Sequence, residues 1–144
     1  MWGGALKLLD TNIFIYAQGQ PHRFRDACQM LVASMEEDNS LYAIDTELLQ
    51  EILHVYSARG ERARALRTFD RLLLLFPNPA PVGKGEMVVA RQLVEAYPTL
   101  LARDAIHAAV VQTNGLEGIV TTDRAFREIP GLVVFDSLDL ASGR

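Results

Sequence analysis

Ala5-Leu6-Lys7-Leu8-Leu9-Asp10-Thr11-Asn12-Ile13-Phe14 decides how this chain folds. Residues 5–9 read as a short buried strand, apolar except for Lys7, and Asp10 stops it. A helical turn begins at Asp10-Thr11-Asn12 and carries Ile13, Phe14 and Tyr16. Outward from here, Leu41-Tyr42-Ala43-Ile44 reads as a second strand. Asp45 or Thr46 can cap the helix that follows over 46–58, which Gly60 ends. Ile119-Val120-Thr121 and Leu132-Val133-Val134-Phe135 read as two more strands, joined by a short helix near 123–128. Apolar spacing predicts further helices over 22–38, 61–76, 84–97 and 101–113. The proline run from Pro77 to Pro81 must be extended, and Val82 reads as lying in or beside a short strand-like link. Strands alternating with helices predict an α/β domain: a parallel sheet of about four to five strands with helices on both faces.

Bulk properties narrow the class. At 144 residues the chain suits one domain, 1–144, with a core that needs no disulfide or structural metal. Its 49% hydrophobic and 22% charged content is that of a globular protein. The lone Cys28 cannot form an internal disulfide. Met1-Trp2-Gly3-Gly4 lacks the features of a secretory leader, and the apolar run Leu72–Phe76 is too short to span a bilayer, so the expected location is cytoplasmic. A net charge of −4 argues against broad coating of nucleic acid, but not against a metal-dependent nuclease, whose acids are neutralised by cations.

Four acids lie where fold logic alone gives them little reason to be. Asp10 and Asp123 each follow an apolar strand, Glu51 lies within the apolar-periodic segment Leu48–Leu53, and Asp104 heads the small-residue run Ala105-Ile106-His107-Ala108-Ala109. Buried charge is costly unless paired or bound to metal. In open α/β sheets ligands bind beyond the carboxyl ends of strands, which puts Asp10, Asp123 and Glu51 at one rim. Asp104 joins them if its first turns face that rim. Such a cluster suits Mg²⁺, with Mn²⁺ as a substitute, and hence phosphodiester hydrolysis. The plain alternative for Asp10 and Asp123 is helix capping, and for Asp104 complementing a helix dipole.

The runs Leu8-Leu9-Asp10-Thr11-Asn12-Ile13-Phe14, Arg103-Asp104-Ala105-Ile106-His107-Ala108-Ala109 and Ile119-Val120-Thr121-Thr122-Asp123-Arg124-Ala125-Phe126 resemble the signatures of PIN domains. More narrowly, they resemble VapC-type toxin ribonucleases. The resemblance runs from residue 6 to about 136 in the family's order. It implies a PIN-like fold and a metal-dependent endoribonuclease with Asp10, Glu51, Asp104 and Asp123 as metal-binding catalytic acids. It also implies that Asn12 and Thr121 orient those acids or their water, that the protein works as a homodimer, and that a cognate antitoxin inhibits it. Alternatives are a housekeeping PIN ribonuclease without an antitoxin and a non-catalytic PIN-fold module.

Glu47 rivals Glu51 one helical turn earlier, but family spacing favours Glu51. His107 shares a helical face with Asp104 and reads as a hydrogen-bonded core histidine rather than a base. On the helix from 61, Arg64, Arg67 and Arg71 project opposite Ala65, Leu66, Phe69, Leu72 and Leu73. That face is either ordinary solvated surface or a track for RNA phosphates.

Overall fold

The computed structural model describes residues 5–141, so the leader reading at Met1–Gly4 lies outside the described residues. Among those residues, strands β1 (Lys7–Leu9), β2 (Tyr42–Ala43), β3 (Gly118–Thr121) and β4 (Val134–Asp136) form one sheet in the order β2-β1-β3-β4. All neighbours are parallel, with Leu8 opposite Ala43 on one side and Ile119 on the other. The helices are α1 (Thr11–Ala17), α2 (Arg25–Glu37), α3 (Thr46–Ala58), α4 (Arg62–Leu75), α5 (Lys84–Ala96), α6 (Ala102–Asn114) and α7 (Ser137–Ala141). A 3₁₀ helix spans Arg124–Glu128. No helix is long and apolar enough to cross a membrane, among the described residues.

The alternation of strand side chains sorts the core into two layers. Leu9 and Val120 point to one face and pack with Ile13, Leu31, Leu48 and Ile52 from α1, α2 and α3. Leu8 and Ile119 point to the other and meet Val110 and Val111 of α6. α5 lies outside α6, joined through Ala90, Leu93, Ala105 and Ala108. Small residues on α6 let the two helices approach closely. The expected helix cover on both faces is present, and the sheet has four strands among the described residues.

Local chemistry sets the element ends. Asp45 caps α3 by accepting from Leu48 N at 2.9 Å. α6 stops at Gly115, whose φ of 62° is left-handed and costs glycine nothing. At Gly118 a Cβ would sit 2.2 Å from the Val133 carbonyl, so only glycine lets the chain entering β4 pair with β3.

Several expectations need correction. The strands expected over 5–9 and 41–44 are shorter, because ladder pairing on the β2 side involves only Lys7 with Tyr42 and Leu8 with Ala43. The last strand begins at Val134, not Leu132, which packs into the lower core. The short link, by contrast, is present as a parallel bridge of Ala80 with Asp45, and Val82 lies beside it, donating its N–H to Thr46 Oγ1 at 3.1 Å. Leu66 is 60% exposed rather than inward, and Thr68 takes the buried position on α4. Helix α7 was not expected; the Asp136 carboxylate starts it by accepting from Leu138 N at 2.7 Å.

Candidate active site

Asp10, Glu51, Asp104 and Asp123 converge on one hollow of about 600 Å³ beyond the carboxyl ends of β1 and β3. Each comes from a different element. Asp10 leaves β1, Glu51 lies in mid-α3, Asp104 is in the first turn of α6 and Asp123 follows β3. Asn12 and Ile15 of α1 complete one wall, and Arg59 and Arg103 add cations to the rim. The arrangement follows from the parallel topology, which delivers consecutive strand ends to the same edge.

The capping alternative separates the acids. Asp10 holds the N-cap position of α1 but makes no side-chain cap bond. Instead its Oδ2 accepts from Thr121 Oγ1 at 2.7 Å. Thr121 Oγ1 in turn accepts from Asp123 N at 2.9 Å, so one hydroxyl ties the two strand ends together. Asp123 does cap, its Oδ1 accepting from Ala125 N at 2.9 Å. Asp104 is 4% exposed, and its Oδ2 has no hydrogen-bond partner. The Oδ1 of Asn12 is likewise buried and unpartnered.

His107 is completely buried and organises Glu51. Its Nε2–H donates to Glu51 Oε1 at 2.8 Å and its Nδ1–H to Asp45 Oδ2 at 2.6 Å. Burial alone would keep the imidazole neutral; the charges and hydrogen bonds of Asp45 and Glu51 overcome this and raise its pKa well above the ordinary value. The result is an imidazolium clamped between two carboxylates. This is the hydrogen-bonded core histidine expected from sequence, with a specific task added.

Asp45 is the residue that sequence reasoning missed. It was read only as one of two candidate caps, and it does cap α3. Its second oxygen, however, holds His107 and through it Glu51. The signal was available: Asp45 follows a strand as Asp10 and Asp123 do, so the same criterion applied to it. Arg103, next to Asp104 in sequence, also reaches Glu51, with Nε 3.8 Å from Glu51 Oε2.

The remaining negative charge is crowded. Burial pushes Asp104 up to about 7, with the charges of Asp10 and Asp123 adding to the effect. Burial also raises Asp10, against the pull of His107 and the Thr121 hydroxyl. Among the described residues, no three His, Cys, Asp or Glu groups are drawn tightly enough together to form a ready-made cation cage. The hollow nevertheless suits a hard divalent cation: the donors are all oxygen, they repel one another, and two buried oxygens lack partners. Such an ion would relieve each of these costs at once.

Glu47 does not reach this hollow. It lines a neighbouring one with Gln50 and His54, and burial, then the charge of Glu51, raises its pKa. Arg64, Arg67 and Arg71 also lie elsewhere, together on a groove of about 840 Å³ with Gln18 and Thr68. There Arg71 pairs with Glu36, and Arg64 lies 3.8 Å from Glu61 and over the Tyr56 ring.

The PIN domain family model matches residues 7–132. The chain is 32% identical over 125 residues to ribonuclease VapC13 of Mycobacterium tuberculosis, covering 87% of this chain and 95% of that one. It is also 32% identical over 130 residues to ribonuclease VapC7 of the same organism, covering 88% of each. The fold is shared with the DNA-bound VapBC of Salmonella typhimurium, at a TM-score of 0.70, 20% identity and coverage of 92% of this chain and 98% of that one. FitAcB from Neisseria gonorrhoeae matches at a TM-score of 0.68 and 18% identity, over 92% of this chain and 99% of the other. The acids at the strand ends thus stand in a chain that belongs to the PIN-domain family and, within it, to the VapC type.

Proposed function

We propose that this protein is a divalent-metal-dependent endoribonuclease that hydrolyses RNA phosphodiester bonds, acting in the cytoplasm as the toxin of a toxin–antitoxin pair. The observation that carries the reading is the convergence of four carboxylates from four elements on one hollow that also contains two unpartnered buried oxygens. Family membership and the ribonuclease relatives support the same chemistry. The solved VapBC complexes, whose folds this chain shares, support a cognate antitoxin as partner. A homodimer is the assembly we propose, as for the family at large.

Asp10, Glu51, Asp104 and Asp123 would hold Mg²⁺, with Mn²⁺ as a substitute. When bound, the ion supplies an activated water and neutralises the phosphate oxygens. The chain's own residues do the rest. His107 fixes the Glu51 carboxylate, and Asp45 fixes His107. Thr121 orients Asp10 by a direct hydrogen bond, an outer contact of the kind that tunes ligands. Asn12 offers its unpartnered Oδ1 to a water in the hollow. Arg59 and Arg103 on the rim attract the phosphate, and Arg64, Arg67 and Arg71 provide a groove for flanking phosphates.

The test is cleavage of single-stranded RNA by purified protein. Chelation should abolish cleavage, and added Mg²⁺ or Mn²⁺ should restore it. Cleavage that persists unchanged in excess chelator would overturn the proposal.

A further inference from the structure

A second hollow adjoins the acidic one and has a different chemistry. α3 lines it with Glu47, Gln50 and His54, spaced at i, i+3 and i+7 on one helical face, and Leu101 and Arg103 at the start of α6 form the opposite wall. Its volume is about 670 Å³. Both hollows are lined by Glu51, Val55 and Arg103, so they meet along α3. Leu101 is 52% exposed, a large apolar side chain left open beside polar ones. Among the described residues, the side chains of Gln50 and His54 have no hydrogen-bond partner.

These features fit a base better than a phosphate. Glu47 and Glu51 make the hollow negative on its α3 side, which repels a phosphate but not a base edge. Leu101 and Val55 offer apolar contact to a ring face, and the planar Arg103 guanidinium offers a stacking surface. When ionised, Glu47 can only accept, whereas Gln50 and His54 can donate or accept. A strand with one phosphate over the four acids must set its adjacent base close by, and this hollow shares a wall with that position.

We infer that the hollow between α3 and the start of α6 is a base-selecting subsite next to the scissile phosphate, with Glu47, Gln50 and His54 as its readers. The inference rests on the nuclease reading above and adds to it the means of choosing a cut site. The base it favours presents donors on its Watson–Crick edge. Guanine comes first, because its N1–H and N2–H lie side by side and match one carboxylate. Uracil is disfavoured, since its single N–H is flanked by two carbonyls that face the same carboxylate. Glu47 thus serves selection, and Glu51, one turn along, serves the metal.

The experiment uses a pool of single-stranded RNA with randomised sequence, cut to low conversion in Mg²⁺, with the cut ends sequenced. The parent, Glu47→Gln and the double variant Gln50→Ala/His54→Ala are compared. The parent should select guanine at one position next to the cut. Each variant should flatten that selection by about tenfold, as expected for loss of a base-edge contact, with selection elsewhere kept. Variants that retain the parent's preference at every position would overturn the inference and leave the nuclease intact. A parent that cuts with no preference beside the scissile bond would do the same. A parent that makes no metal-dependent cut would remove the nuclease reading, and this inference with it.

Discussion

The acidic hollow and the arginine groove of α4 are both built from charged side chains on helices and strand ends, yet they are held in opposite ways. Glu51 is 7% exposed and fixed through His107 to Asp45, three groups that sit in the interior. Arg71 and Glu36 pair on the surface with 61% and 44% of their side chains exposed. An exposed pair of that kind is worth about 0–1 kcal/mol, whereas breaking a buried one costs about 3–5 kcal/mol. Rigidity is thus concentrated where charges must be positioned for chemistry, and the surface that would follow a flexible polymer stays adjustable.

The sharpest way to break this contrast is to neutralise a carboxylate in the hollow. Asp10→Asn or Asp123→Asn should reduce RNA cleavage by more than the roughly 10–100-fold that outer contacts of metal sites cost, with the fold intact by circular dichroism. Near-parental rates in a folded variant would remove that residue from the site. Next in size is the comparison of two glutamates one turn apart. At saturating metal, Glu51→Gln should lower the cleavage rate on a fixed substrate far more than Glu47→Gln. Equal losses would mean that both serve the metal.

Stability probes the buried side of the contrast. His107→Ala leaves Asp45 and Glu51 facing each other without their cation, and urea unfolding should show a loss of about 3–5 kcal/mol. A loss below about 1 kcal/mol would place the clamp among ordinary surface pairs. The pH dependence follows from the same groups. His107 has a raised folded pKa, so its contribution is complete below the unfolded value of about 6.5 and is lost as pH rises through the folded one. Asp104 binds its proton more tightly when folded, at about 7 against 3.8, so stability also falls as pH climbs between those values. Metal-free protein should therefore melt at progressively lower temperature across that range. Asp104→Asn should flatten the slope and raise the Tm at alkaline pH, and an unchanged profile would show that Asp104 is not strained. The smallest effect belongs to the groove. Changing Arg64, Arg67 and Arg71 together to Gln should raise the RNA Kd and flatten its salt dependence, with thermal stability nearly unchanged. Parental affinity and salt slope would make α4 an ordinary solvated face.

Much of this was legible in the residues because it is local. The apolar run ending at Asp10, the cap before Leu48 and the glycine after Asn114 each mark an element boundary through chemistry contained within a few positions. What escaped was long-range. Asp45 lies 62 positions from His107, and nothing near Asp45 announces that its second oxygen has a buried partner. Leu66 misled for the converse reason: helical spacing assigns an apolar residue to the inner face, but α4 buries Ala65, Thr68 and Leu72 against the core, with Phe69 and Leu73 half-buried beside them, and leaves Leu66 exposed. The hollow lined by Glu47, Gln50 and His54 was equally invisible, since it depends on how α3 meets α6 rather than on either helix alone.

The Thr121–Asp10 hydrogen bond spans 111 positions of chain. On a ribosome, β1 is made more than a hundred residues before β3, its central neighbour. At about 5–20 residues per second, the nascent chain spends several seconds with Asp10 exposed but with neither Thr121 nor Asp123 yet translated. A protein with this topology cannot assemble its acid set, and so cannot attack the very transcript being read, until β3 and Asp123 have been synthesised.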